Sequence, residues 1–397
     1  MDIKPFLSNN ALHMRRSQIR DLLSAATRPE IISFAGGFPN PETFPLEDLK
    51  VIMQEVLDKE GGAALQYGST EGVVSLRREI SKLYKREEGL DIPIEKILIT
   101  TASQQALDLI SRIFINPGDV VVCGLPSYLG ALQAFWSYQG KPYGLRHNLG
   151  LDEACNVLCA TGKKPKFLYS IPDFQNPSGE TMTVEEREYA VEVARKYDLL
   201  IVEDTPYKNI RFSGESLPSM YSMAPERVIM LGTFSKTFAP GFRLGWIVAE
   251  PEILEQLIVA KQSADLCTPA FSQLVAARYL ASGIYDTNLK KTIALYRHKR
   301  DLMLEMFEKH MPDGVTWTKP EGGLFLLLKL PKKYNAMELF ELAIKEDVAF
   351  VVGEAFHSDG SGKNTLRLNF SFASDEKIEE GVKRLAAAIR QLYTLHA

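Results

Sequence analysis

The sequence predicts an α/β fold built on a mostly parallel sheet, with a smaller α+β unit toward the C-terminus. Three observations predict it. Between residues 97 and 249 the chain carries short apolar, β-branched runs that are continuous rather than alternating, as strands buried on both faces are. Helical, amphipathic stretches separate these runs, the alternation that builds a parallel sheet covered by helices. After about residue 285 a long, charge-rich helical stretch opens a region of different texture.

The elements follow in order. Residues 1–30 contain IRDLL at 19–23 and read as an arm with a short helix. ILIT (97–100) is a strand leading into the helix QQALDLISRIF (104–114). VVVCG (120–124), KFLYSIP (166–172), LLIVED (199–204), VIMLGTF (228–234) and RLGWIVA (243–249) are further strands. EEREYAVEVARKYD (185–198) is a helix, with Tyr189, Val191, Val193 and Ala194 expected on its apolar side. The stretch 287–310 is a long helix, LFLLLKL (324–330) and TLRLNFSF (365–372) are strands, and 378–393 is a closing helix. The reading divides the chain into an arm over 1–48, a large domain over 49–284 and a small domain over 285–397.

Composition narrows the function. With 46 basic and 50 acidic residues the net charge is −4, which argues against a nucleic-acid-binding surface. Four cysteines form no CxxC pair, and six scattered histidines form no HExxH motif. A disulfide framework and a metal site are therefore not expected, and a reducing cytoplasm is. The N-terminus has no apolar signal region, and no apolar run reaches the roughly 20 residues that span a bilayer.

Polar residues gather at the expected strand ends, where open parallel sheets bind ligands. Lys236 follows a buried strand in GTFSKTFAPGFRLGW (232–246), with Ser235 before it and Arg243 seven positions later. A lysine that forms a Schiff base needs such a rigid mount, and Ser235 with Arg243 suits a phosphate. Read alone, Lys236 is an ordinary loop lysine. Asp204 ends LLIVED, with Tyr207 three residues on. A carboxylate there suits a pyridinium nitrogen, or else caps a helix. Asn176 lies in the turn PDFQNPSGE. Ser103 and Gln104 open a helix whose free N–H groups suit a phosphate, although Ser103 also reads as an N-cap. Tyr128, in PSY (126–128), can stack on a planar ring. Arg367 alternates with apolar neighbours in NTLRLNFS, and a substrate carboxylate is one possible partner. No GxGxxG or GxxxxGK[ST] motif is present.

In this order the pieces resemble the fold-type I pyridoxal-phosphate enzymes, specifically the class I aminotransferases, over essentially the whole chain. The closest similarity is to the 2-aminoadipate, kynurenine and multi-substrate aminotransferases. It is carried by ISFAGGFPNPETFP (32–45), LQYGSTEGVVSLR (65–77), TTASQQALDL (100–109), FQNPSGE, SKTFAPGFRLG, QSADLCTP (262–269) and NTLRL (364–368). The resemblance implies a seven-stranded sheet and pyridoxal 5'-phosphate as cofactor. Lys236 would be the Schiff-base lysine and the proton-transfer base, and Asp204 the partner of the pyridine nitrogen. Asn176 and Tyr207 would bond the ring oxygen, and Tyr128 would stack on the ring. Ser103, Gln104, Ser235 and Arg243 would hold the phosphate, with Tyr67 reaching in from the other subunit of a homodimer. Arg367 and Asn176 would clamp the substrate α-carboxylate. Gly37, with Gly36, would let the arm approach the substrate, and Arg20 would meet a distal carboxylate.

The implied activity is ping-pong transamination between an L-amino acid (2-aminoadipate, glutamate, leucine-like or aromatic) and a 2-oxo acid, 2-oxoglutarate being the usual acceptor. Two alternatives share the fold. One is a lyase or decarboxylase using the same cofactor. The other is a regulatory sensor domain, disfavoured because the likeness begins near residue 15 and leaves no room for a DNA-binding domain ahead of it.

Overall fold

The computed structural model describes residues 1–14, 28, 30–145 and 150–396. Thirteen strands are present among them. They are β1 (Ile32–Ser33), β2 (Ile97–Thr100), β3 (Val120–Gly124), β4 (Lys141–Leu145), β5 (Phe167–Ser170), β6 (Leu200–Asp204), β7 (Val228–Thr233), β8 (Gly245–Val248), β9 (Thr316–Trp317), β10 (Phe325–Lys329), β11 (Val348–Ala349), β12 (Val351–Val352) and β13 (Thr365–Asn369).

Seven of them form the central sheet in the order β2-β8-β7-β6-β5-β3-β4. The pairs from β4 across to β7 are parallel, while β8 runs antiparallel to both β7 and β2. The sheet is therefore mostly parallel, as expected. Both faces are buried, and successive residues alternate between two cores. Val121, Phe167, Val202, Ile229 and Ile247 point into one. Val122, Leu168, Ile201, Met230 and Val248 point into the other.

In the central sheet the structure adds β4 to the strands read from the sequence. Pro142 and Gly144 break its apolar pattern, and it lies at the sheet edge, where a missing N–H is tolerated. One expectation is corrected. Tyr189 is exposed on the helix Val184–Lys196, its hydroxyl accepting from the Asp152 backbone N–H, and Arg187 is buried in the helix's inner face instead. That helix opens on a capping box between Thr183 and Glu186.

The C-terminal strands form a second sheet, β12-β13-β10-β9, entirely antiparallel. The helices Ile284–His310 and Asp375–Leu395 are its longest companions. The early chain is tied to this region. Strand β1 pairs in parallel with β11, and the Phe34 carbonyl accepts from Asn369 N–H. Residues 35–40 are thereby led past the carboxyl ends of the central strands. Among the described residues no helix is long and apolar enough to cross a membrane.

Candidate active site

A cavity of about 380 Å³ opens between the carboxyl ends of the central strands and the C-terminal sheet. Topology explains its contents. Strands β2, β3, β5, β6 and β7 all end on this side, and β8, running in reverse, begins here. The segments carrying Ser103, Tyr128, Asn176, Asp204, Lys236 and Arg243 therefore converge, and all six residues line the cavity. Gln104, Tyr207, Ser235, Gly37 and Arg367 also line it.

Lys236 follows β7 by three residues. Its Nζ donates to the Gly37 carbonyl at 2.7 Å. Burial, and then the positive charges of Arg367 and Arg243, lower its pKa to about 8. A larger share of the amine is therefore neutral near pH 7 to 8 than in an ordinary lysine, and the neutral form is the one a nucleophile or a base requires.

Asp204 is buried at the end of β6. Tyr169, from β5, donates its hydroxyl to Oδ2 at 2.9 Å, while Oδ1 has no partner. Burial raises the carboxyl's pKa to about 7, against the lowering effect of the Tyr169 hydrogen bond. No helix begins in the residues that follow it, so Asp204 is not a helix cap. An expensive buried carboxylate with one idle oxygen is suited to a cationic ligand group. A stability prediction follows for the cofactor-free protein. Between roughly pH 4, where an unfolded aspartate ionises, and pH 7 the folded state holds a proton that the unfolded state has lost. Wild-type stability therefore falls as pH rises through this window. Asp204→Asn cannot ionise. Its melting temperature is expected to match wild type below the window, to exceed it increasingly across the window, and to stay higher above pH 7. Melting curves across that range check this.

Around these two groups the polar side chains form a chain of contacts. Asn176 Nδ2 donates to the Tyr207 hydroxyl at 3.4 Å, and Asn176 Oδ1 accepts from Arg367 Nη1 at 3.0 Å. Arg367 Nη2 donates to the Ala35 carbonyl at 2.6 Å. Its guanidinium carbon lies 4.2 Å from the Phe325 ring centroid and 5.1 Å from that of Phe356. It is buried, makes no ion pair among the described residues, and leaves Nε without a partner. Burial lowers its pKa to about 10, which leaves it charged at neutral pH.

The helix Ala102–Phe114 points its N-terminus at the cavity, and its preceding residue Thr101 supplies no side-chain cap. Ser103 is not a cap either, since its Oγ is buried with no partner. A Cβ on Gly245 would come within 2.8 Å of the Ala102 backbone, so glycine there is what allows β8 to lie against this helix start. Ser235 Oγ lies 3.0 Å from Thr233 Oγ1, whose hydroxyl is also within 2.9 Å of the Leu244 carbonyl. Gln104 Nε2 donates to the Gly130 carbonyl at 3.0 Å. Arg243, with a left-handed φ of 53°, is exposed two residues before β8 and donates to the Pro240 carbonyl at 3.3 Å.

Tyr67 is 79% exposed and is not brought into the cavity by its own chain. Arg20 lies outside the described residues. Sequence reasoning missed Tyr169, Phe325 and Phe356. Tyr169 carried a signal, because a tyrosine inside an apolar buried run needs a polar partner for its hydroxyl.

Helix-start donors, an unpartnered serine, a buried carboxylate with an idle oxygen and a low-pKa lysine fit one ligand type. It is a phosphate-bearing cofactor with a protonated ring nitrogen and a carbonyl, and pyridoxal phosphate has all three. The profile of the family "Aminotransferase class I and II" matches residues 31–385, and the chain belongs to that family. It is 47% identical to the aromatic-amino-acid aminotransferase 1 of Thermococcus litoralis, over 98% of this chain and 95% of the relative. The crystal structure of a multiple substrate aminotransferase from Thermococcus profundus superposes with a TM-score of 0.94 at 43% identity, covering all of both chains. The α-aminoadipate aminotransferase LysN of Thermus thermophilus, solved with N-(5'-phosphopyridoxyl)-L-leucine, superposes with a TM-score of 0.91 at 37% identity, also over the whole of both chains. The protein is thus a pyridoxal-phosphate-dependent transaminase of amino acids. Among the described residues no cluster of three or more His, Cys, Asp or Glu side chains could hold a metal.

Proposed function

We propose that the enzyme transfers the amino group of 2-aminoadipate, glutamate, a leucine-like or an aromatic L-amino acid to a 2-oxo acid, with 2-oxoglutarate as acceptor. The observation that carries this is Arg367, a buried guanidinium aimed into the cavity with no carboxylate of its own. A substrate α-carboxylate supplies the missing partner, and Asn176 completes the clamp.

Pyridoxal phosphate, when bound, supplies an electron sink and a carrier for the amino group. Lys236 holds it and then acts as the base at the substrate α-carbon. Asp204 keeps the ring nitrogen protonated, Asn176 and Tyr207 bond the ring oxygen, and Tyr128 stacks on the ring. Ser103, Gln104, Ser235 and Arg243 hold the phosphate. In a homodimer, Tyr67 of each chain serves the other's site, which accounts for a tyrosine that its own chain leaves exposed. Gly37 borders the substrate through its backbone, and Arg20 meets the distal carboxylate of acidic substrates. Because one site serves both half-reactions, the kinetics are ping-pong. The division at residues 48 and 284 is kept with this reading, as is a reducing, cytoplasmic setting, which four cysteines free of disulfides suit.

The test is a panel of 2-aminoadipate, glutamate, leucine, phenylalanine and kynurenine, each with and without 2-oxoglutarate. Amine transfer that requires the oxo acid is expected. Release of ammonia or carbon dioxide without it would make the enzyme a lyase or decarboxylase instead. Arg367→Lys keeps the charge but loses the forked donor. Its KM for the amino donor is expected to rise on the order of 100-fold, with a smaller change in kcat.

A further inference from the structure

The loop that carries Asn176 is closed at its base by an arginine that has no part in the chemistry above. Arg187 lies in the first turns of the helix Val184–Lys196, and its side chain is fully buried. Its Nε donates to the Met182 carbonyl at 3.2 Å and its Nη2 to the Pro172 carbonyl at 3.3 Å. One guanidinium thus bonds both ends of the loop 172–182. Nη2 also donates to Asp173 Oδ1 at 2.9 Å, and Nη1 to the Pro218 carbonyl at 3.0 Å.

The loop is fixed from two other directions. Gln175 Nε2 donates to the Pro126 carbonyl at 2.9 Å, tying it to the segment that carries Tyr128. Arg211 donates to Asp173 Oδ1 at 3.3 Å and lies 4.7 Å over the Phe174 ring. Phe174 has a left-handed φ of 50°, a conformation that is strained for an aromatic residue and persists only where its surroundings enforce it. Gly322 and Gly323 seat it, since a Cβ on either would overlap the Phe174 side chain. Asn176 is two residues further on.

A fully buried ion pair is seldom the most stable filling for a core, and an apolar pair of the same volume often does as well. What Arg187 provides is direction, because its planar fork fixes three chain segments and a carboxylate at once. We infer that Arg187, with Asp173, is a positioning residue that holds the Asn176 amide between Tyr207 and Arg367. The inference rests on the role given to Asn176 above.

Wild type, Asn176→Ala, Arg187→Lys and the double variant, all loaded with pyridoxal phosphate, test it. Two quantities are read: KM for glutamate, and the pH at which the visible absorption of the bound cofactor titrates. Each single substitution is expected to raise KM by on the order of 10- to 100-fold and to move the titration. The double variant should go no further than Asn176→Ala, because Arg187 acts through that residue. An Arg187→Lys enzyme with a lower melting temperature but both readings unchanged overturns the inference, and so do effects that multiply in the double variant. If Asn176→Ala itself changes neither reading, the role of Asn176 is wrong and the inference falls with it. Should Arg187→Lys fail to fold, Asp173→Asn goes through the same cycle. A raised KM that vanishes in the Asn176→Ala background supports the inference, and an unchanged KM overturns it.

Discussion

Lys236→Ala is expected to lower kcat/KM by on the order of 10,000-fold or more, since on the proposed reading it removes the group that holds the cofactor and the base that moves the proton. The environment of Lys236 makes this loss hard to replace. Its Nζ is fixed against the Gly37 carbonyl, and its pKa of about 8 leaves more of the amine neutral near pH 7 to 8 than an ordinary lysine would have. Water entering the vacated space has neither property. Steady-state kinetics with glutamate and 2-oxoglutarate check the loss, with a melting curve to show that the variant is folded. The fold is not expected to suffer, because removing a charge held at a lowered pKa relieves a desolvation cost.

Asp204→Ala is the second large effect, a fall in kcat on the order of 100- to 1,000-fold, the range seen when one preorganised electrostatic partner is lost from an active site. The carboxylate is costly in the cofactor-free protein, with its pKa raised to about 7 and Oδ1 unpartnered. A cationic group arriving at the carboxylate would recover that cost, as the role proposed for Asp204 requires. Asp204→Asn is expected to fall nearly as far in kcat, because an amide still accepts from Tyr169 but carries no charge. The same variant should be the more stable one at neutral pH when the cofactor is absent. Loss of activity joined to a gain in stability is hard to explain for a residue with a purely structural role.

Much of this was legible in the chain. Strands β2, β3 and β5 to β8 stood out because burial on both faces demands unbroken apolar runs, β10 stood out for the same reason, and β13 for the alternation of polar and apolar residues around Arg367. Strand β4 was hidden by Pro142 and Gly144, which only an edge position tolerates. The candidate site was legible wherever a side chain at a strand end lines the cavity, as with Asp204, Asn176 and Lys236. It was not legible where backbone does the work. The carbonyls of Ala35 and Gly37 meet Arg367 and Lys236 only because β1 pairs with β11, more than 300 residues away. The burial of Arg187 was hidden for a related reason. Helical periodicity puts it on the inner face, but charge suggests solvent, and the buried carbonyls and carboxylate that satisfy it come from segments remote in the helix pattern. Tyr169 was read simply as part of an apolar strand, although its hydroxyl required a partner.

The central claim is that Lys236 carries the cofactor, and one measurement addresses it directly. The holoenzyme is treated with borohydride, which fixes pyridoxal phosphate covalently to whichever lysine holds it, and the modified peptide is located by mass spectrometry. The account predicts a single adduct on Lys236. An adduct on another buried lysine, such as Lys208, Lys261 or Lys299, or no adduct at all, would contradict it.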